Sequence, residues 1–154
     1  MYYFNIFLLI ISLFFLCCSK KQSINDNILR YNETSSITSL DPVFANNQPN
    51  IWVVNQLFNT LTDLDQNLNI QPSIAKKWTI SNDRLKYIFT IRNDIYYHKS
   101  PCFGEDSTRL LVASDFIYSI SRLIDKEILS PGAWVMDYID RFNTHAINDT
   151  ILEI

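Results

Sequence analysis

Along residues 72–100, PSIAKKWTISNDRLKYIFTIRNDIYYHKS, apolar and polar side chains change places every second residue. Trp78 and Ile80 alternate with Thr79 and Ser81. Tyr87, Phe89 and Ile91 alternate with Lys86, Thr90 and Arg92, and only Ile88 interrupts the polar row. Successive side chains of a strand point to opposite faces, so one face here is aromatic and aliphatic and the other polar or charged. Between the runs, Asn82-Asp83-Arg84 has turn chemistry, because Asn and Asp bond their own backbone and tolerate left-handed geometry. The pattern predicts a half-buried hairpin, with residues 73–77 leading into it as a short helical turn.

A longer period governs two other stretches. After Asn46-Asn47-Gln48-Pro49-Asn50, whose proline suits a first helical turn, Ile51, Val54, Phe58 and Leu61 recur every three or four residues and Leu57 widens the stripe. This predicts an amphipathic helix of about three turns. Trp52 falls on its exposed or partly covered side, where packing is a better account of it than a ligand contact. Phe116, Ile117, Ile120, Leu123 and Ile124 predict a second helix over residues 112–128. Asp115 near its start and Arg122 and Lys126 near its end suit the helix dipole, and Ser130-Pro131-Gly132 breaks it. Its apolar stripe is expected to cover the apolar face of the hairpin.

The remaining stretches are shorter. Residues 28–32 alternate and read as a first strand. Leu40-Asp41-Pro42 is a bend, because the residue before proline is held extended. Residues 63–69 read as loop with a short extended piece, 94–98 as extended, 100–109 as loop, and 133–148 as loop and short helix. Asn148-Asp149-Thr150 is a turn, and residues 151–154 begin a strand. A chain that ends inside a strand looks cut short.

Composition narrows the function classes. The 154 residues suit about one domain, and 47% hydrophobic with 19% charged residues supports a core rather than disorder. The net charge of −3 and scattered Lys and Arg do not build a nucleic-acid surface. Gly104 and Gly132 are the only glycines, which excludes the glycine-rich loops that cradle nucleotide phosphates. Cys17, Cys18 and Cys102 form no CxxC pair, and His98 and His145 are far apart, so neither a metal site nor a cofactor is indicated. For a secreted hydrolase the candidates are Cys102 with His98, or the pair Asp63 and Asp65. Neither has a convergent third group, so the enzyme reading is set aside.

Residues 6–16, IFLLIISLFFL, are a nearly unbroken apolar run. Its length fits the core of a secretory signal and is short for a membrane span. With Phe15-Leu16-Cys17-Cys18-Ser19 closing it, the leader resembles a bacterial lipoprotein signal. That resemblance implies acylation of Cys18, or of Cys17 if cleavage falls one residue earlier. An uncleaved anchor is the alternative. The division expected is a signal peptide over 1–18, a polar tether over 19–27, and a folded part over 28–154.

Several phrases, taken in order, resemble the family 5 extracellular solute-binding proteins, the peptide-binding subunits of bacterial ABC importers. They are Ser39-Leu40-Asp41-Pro42, Asn55-Gln56-Leu57-Phe58, Pro72-Ser73-Ile74-Ala75-Lys76-Lys77-Trp78, the hairpin, Ala113-Ser114-Asp115-Phe116-Ile117-Tyr118-Ser119 and Ser130-Pro131-Gly132-Ala133. The family often has Gly where Arg84, Asp94 or Ser100 stands here, and Thr where Lys86 and Val112 stand; the loop over 100–111 is also longer than usual. The resemblance implies a mixed α/β fold, the incomplete N-terminal part of a two-lobed type II periplasmic binding protein. It implies an exported, lipid-anchored protein at the cell envelope that binds a peptide or another small solute, with permease and ATPase subunits as partners. Most ligand-holding groups would come from the far lobe; within this chain Ser36, Ile37 and Thr38 correspond to a segment that lines the cleft. A truncated remnant that binds nothing is the alternative.

Overall fold

A computed structural model of the chain describes residues 28, 30–140 and 142–154. A 3-10 turn at Pro42–Phe44 precedes α1 (Gln48–Leu57), β1 (Thr62–Leu64), β2 (Ile70–Pro72), β3 (Ala75–Ile80) and β4 (Tyr87–Ile91). A 3-10 stretch at Pro101–Asp106 leads to α2 (Ala113–Leu123). Another, at Ala133–Tyr138, leads to β5 (His145–Asn148) and β6 (Ile151–Glu153). Glu33–Ile154 form one compact unit. Ahead of it, Ile28, Arg30, Tyr31 and Asn32 lie in no strand, contrary to the strand expected over 28–32. Five alternating residues are a weak signal, because a strand is stabilised by its cross-strand neighbours more than by its own propensity. The expected signal peptide with Cys17 and Cys18, and the tether over 19–27, lie outside the described residues.

The alternation at 78–91 produces the hairpin it predicts. β3 and β4 are antiparallel, with Trp78 opposite Phe89 and Ile80 opposite Tyr87, and the Trp78 and Phe89 rings lie 6.4 Å apart. Residues 73–77 are not a helical turn: β3 already begins at Ala75. Long-range bonds decide this. Ala75 N–H donates to Leu61 O at 2.8 Å and Arg92 N–H donates to Ile74 O at 3.0 Å, two partners that a local propensity cannot see. A bulge between Ala75 and Lys77 leaves Lys76 and Lys77 both exposed. Charged side chains on this edge strand discourage pairing with another chain.

The larger sheet has the order β3-β4-β6-β5, antiparallel throughout, and β1 and β2 form a separate ladder. β6 is therefore central. Tyr87 and Ile154 exchange bonds of 2.7 and 2.9 Å, and Ile91 N–H donates to Thr150 O at 2.7 Å. Ile74, Ile91, Ala113 and Leu152 form the buried cluster. α2 packs chiefly on β5 and β6, and meets the apolar face of the hairpin where Ala113, Phe116 and Ile117 join Phe89 and Ile91 in that cluster. The expected cover is thus partial: β5 and β6 share the apolar face of the helix with the hairpin, and β5 arises in a stretch with no readable period.

Both helices also differ from their stripes. α2 stops at Leu123, short of residue 128. Asp125 supplies the competing geometry: its carboxylate accepts the Glu127 N–H at 2.8 Å, and Leu129 turns to φ 53°. α1 forms as expected but buries Asn50 and Val54, while Ile51, Leu57 and Phe58 are 39%, 48% and 50% exposed. Periodicity identifies residues that share a face; it does not say that anything covers that face.

Candidate functional site

Polar side chains on the buried face of a helix need partners, because an unpaired amide loses its hydration for nothing. Asn50 is 1% exposed and sits in the first turn of α1, where the Asn47 cap accepts its N–H at 3.0 Å. Its side chain turns to a segment twelve residues earlier. Asn50 Oδ1 accepts the Thr38 backbone N–H at 3.0 Å, and Asn50 Nδ2 donates to Thr38 Oγ1 at 2.9 Å. Thr38 belongs to no helix or strand, so this amide does for it what a ladder does for a strand residue. Ser36, Ile37 and Thr38 are themselves exposed, although the Thr38 hydroxyl meets the buried Asn50 amide. The three residues predicted to line a cleft are thus presented at the surface on a pinned backbone.

Two further ties fix the same segment downstream. Asp41 caps the Pro42–Phe44 turn by accepting the Val43 N–H at 3.1 Å. Its two oxygens also receive Arg122, on the last turn of α2, at 3.0 and 2.7 Å. The Arg122 guanidinium holds the Asp41 carboxyl below its ordinary value of 3.8, against the opposing effect of burial and with help from the Val43 N–H. Next, the buried Ser130 donates its hydroxyl to Val43 O at 2.8 Å. Residues 38, 41 and 43 are therefore attached to α1, α2 and the break after α2 in turn. The sequence reading placed Asn50 only in a helix-start composition. The signal available was its spacing, four residues before Val54 on the same helical face.

The hydrolase candidates do not assemble. Asp65 closes the β1–β2 turn: its carboxylate accepts the Asn67 and Asn69 N–H groups at 2.8 and 2.9 Å and the Asn69 amide at 3.1 Å. Hydrogen bonds from Asn69 hold that carboxyl below its ordinary value. Asp63 accepts the neighbouring Leu64 N–H at 2.8 Å. Cys102 is a free, exposed thiol in the 3-10 stretch, and no hydrogen bond joins it to His98. Among the described residues, no group of three or more His, Cys, Asp or Glu converges as metal ligands would.

A groove of about 200 Å³ lies elsewhere, between the end of α1, the segment Ile95-Tyr96-Tyr97 and α2. Leu57, Phe58, Tyr96 and Phe116 line it, and Ser36, Ile37 and Thr38 do not. The charged group on its wall, Asp115, is already engaged. It accepts the Val112 N–H at 2.9 Å and both Arg109 guanidinium nitrogens at 2.9 and 2.6 Å. Arg109 in turn lies over the Tyr97 and Phe103 rings, 4.6 and 5.8 Å from their centroids. Burial pushes the Tyr97 hydroxyl up, and the Asp115 charge adds to this. Burial also opposes ionisation of Asp115, yet Arg109 and the Val112 N–H hold its carboxyl below the ordinary value. This cluster fastens the loop before α2 to its first turn.

Residues 69–154 match a family model described as bacterial extracellular solute-binding proteins, family 5 Middle. The periplasmic murein peptide-binding protein MppA of Escherichia coli K12 is 36% identical over 111 residues, 72% of this chain and 19% of that protein. The dipeptide-binding protein DppE of Bacillus subtilis 168 is 27% identical over 121 residues, 79% of this chain and 21% of that protein. Among solved structures, Listeria monocytogenes OppA bound to peptide superposes with a TM-score of 0.69 at 24% identity, over 79% of this chain and 25% of that one. The Escherichia coli murein tripeptide binding protein MppA superposes with a TM-score of 0.61 at 30% identity, over 75% and 24%. The chain spans about a fifth of the length of the curated relatives it matches.

Proposed function

Because the chain belongs to the family 5 bacterial extracellular solute-binding proteins, we propose that it is the N-terminal portion of the substrate-binding subunit of an ABC importer. Its mixed α/β arrangement is the N-terminal part of the type II periplasmic-binding-protein fold. The proposed ligand is a peptide or a similar small solute, captured outside the cytoplasmic membrane and presented to permease and ATPase subunits. The family match over residues 69–154 carries this reading. The pinned segment supports it: enclosure of a solute needs a wall that does not yield, and Thr38 is fastened to Asn50 while residues 36–38 stay exposed. In this reading Ser36, Ile37 and Thr38 line the cleft and other groups of the full-length family architecture hold most of the ligand.

The leader completes the proposal. The signal over residues 1–18 directs export, Cys18 carries the lipid (Cys17 if cleavage falls one residue earlier), and residues 19–27 tether the folded part to the membrane surface. Expression of the full chain in a bacterial host fed labelled palmitate tests the anchor. Label in the membrane fraction that survives Cys17→Ser and is lost in Cys18→Ser is expected; an unlabelled native chain would overturn it. Calorimetric titration of the chain with trialanine tests binding. Heat of association is expected, and its absence would favour a remnant that binds nothing.

A further inference from the structure

We infer that Asn50 is a positioning residue for the solute-facing segment, setting the backbone of Ile37 and Thr38 before any ligand arrives. The inference rests on the reading of Ser36, Ile37 and Thr38 as cleft lining. Three observations carry it. Asn50 is one of the largest fully buried side chains in the described structure, and it is polar. Its amide is spent on a segment outside its own helix, through a backbone bond of 3.0 Å and a hydroxyl bond of 2.9 Å to the same residue. Thr38 itself is exposed and lies in no regular element, so these bonds fix a backbone that has no ladder to hold it.

The chemistry favours an amide over its alternatives. Here one side-chain group accepts from a backbone N–H and donates to a hydroxyl oxygen at once. Asn and Gln offer an acceptor and donors side by side on one planar amide, and Asn has the shorter reach. A carboxylate could accept from both the Thr38 N–H and its hydroxyl, but at a 1% exposed position it would bury a charge with no cationic partner among the described residues. Pre-ordering matters to binding because a mobile wall has to be ordered at the ligand's expense, which weakens association. Residues 41 and 43 are tied independently, by Arg122 and Ser130. Loss of Asn50 should therefore loosen residues 36–39 and leave the segment beyond them in place.

Residue-resolved hydrogen exchange and trialanine titration of the full chain test this together. In Asn50→Ala the Thr38 amide is expected to exchange at least about tenfold faster, with the Val53 and Val54 amides of α1 unchanged. Thr38→Val keeps the amide bond and should protect Thr38 nearly as well as the native chain. Trialanine affinity is expected to fall about tenfold in Asn50→Ala, to fall less in Thr38→Val, and to be restored in Thr38→Ser. The variant Ile37→Trp separates the two readings, because it blocks a cleft wall without touching Asn50. If Ile37→Trp abolishes binding while Asn50→Ala binds trialanine like the native chain, the positioning role is overturned. If Ile37→Trp has no effect, or the native chain binds no trialanine, the cleft reading beneath it falls instead. Equal loss of protection across α1 in Asn50→Ala would mark a purely structural role and overturn the inference.

Discussion

Arg84 holds a backbone conformation that its own side chain disfavours. Its φ of 61° lies in the left-handed region, which costs a residue with a Cβ about 1 kcal/mol or more. The turn imposes it. Arg84 N–H donates to Ser81 O at 2.9 Å, Lys86 N–H to Ser81 Oγ at 3.0 Å, and the Asp83 carboxylate accepts the Leu85 N–H at 3.1 Å. Glycine here relieves the strain and gives back part of the gain through its looser unfolded state. Arg84→Gly is therefore expected to raise the unfolding free energy by about 0.5 kcal/mol, read as a higher urea midpoint with an unchanged slope. A lower midpoint would contradict this. The sequence announced a turn at 82–84 but not which residue takes the left-handed place. Asn and Asp are the usual occupants, and here Asp83 is committed to bonding the chain ahead of it. Asn50 was missed for a related reason: its partner lies twelve residues away, and no local pattern records that.

At the scale of elements, α2 was the most legible and its ends the least. Its stripe follows from side-chain period alone, whereas its ends depend on other segments. No polar side chain caps its start; instead Asp115, in the first turn, accepts the Val112 N–H and the Arg109 guanidinium. Its last turn gives Arg122 to Asp41. The folded state lowers both carboxyls below 3.8. A carboxyl lowered on folding stabilises fully above its unfolded value, and that contribution is lost as pH falls through the lower folded value. Arg109→Gln is expected to cost about 1 kcal/mol at pH 7, a figure discounted for the partial exposure of the pair. As pH falls through the lowered Asp115 value the native chain and the variant should converge in urea midpoint, because Asp115 becomes protonated in both. A difference that persists undiminished at low pH would assign the loss to the packing of Arg109 on Tyr97 and Phe103 instead. The contact of α2 with β5 and β6 was not legible, because β5 is four residues long and its register breaks between Ala146 and Asn148.

For the whole molecule, the family resemblance read from scattered phrases covers the stretch that matches the family model, from residue 69 onward. Fold class followed from the family resemblance; the hairpin and the two helical stripes said only that sheet and helix are both present. Sheet order did not follow, since nothing in the residues of β6 says that it inserts beside β4. Leu152, fully buried at the centre of that strand, is where the hairpin, β5 and α2 meet. Leu152→Ala is expected to lower stability by about 3 kcal/mol, a large share of a domain's usual margin. Trp78 fluorescence, in a chain carrying Trp52→Phe and Trp134→Phe, should lose its native signal at the same urea concentration as the far-ultraviolet circular dichroism. Separate transitions would show that the hairpin and α2 are not one cooperative unit.

The central place of β6 also dictates an order of events during synthesis. β4 leaves the ribosome long before the strand that must lie beside it, because everything from Arg92 to Thr150 is made in between. A lone hairpin is marginal in water. At roughly 5–20 residues per second, its open edge and Ile91 wait for several seconds without their neighbour. The sheet of this unit cannot be completed before β6 has been made. A holding chaperone that coats apolar strands would have its best opportunity on the nascent chain during that wait.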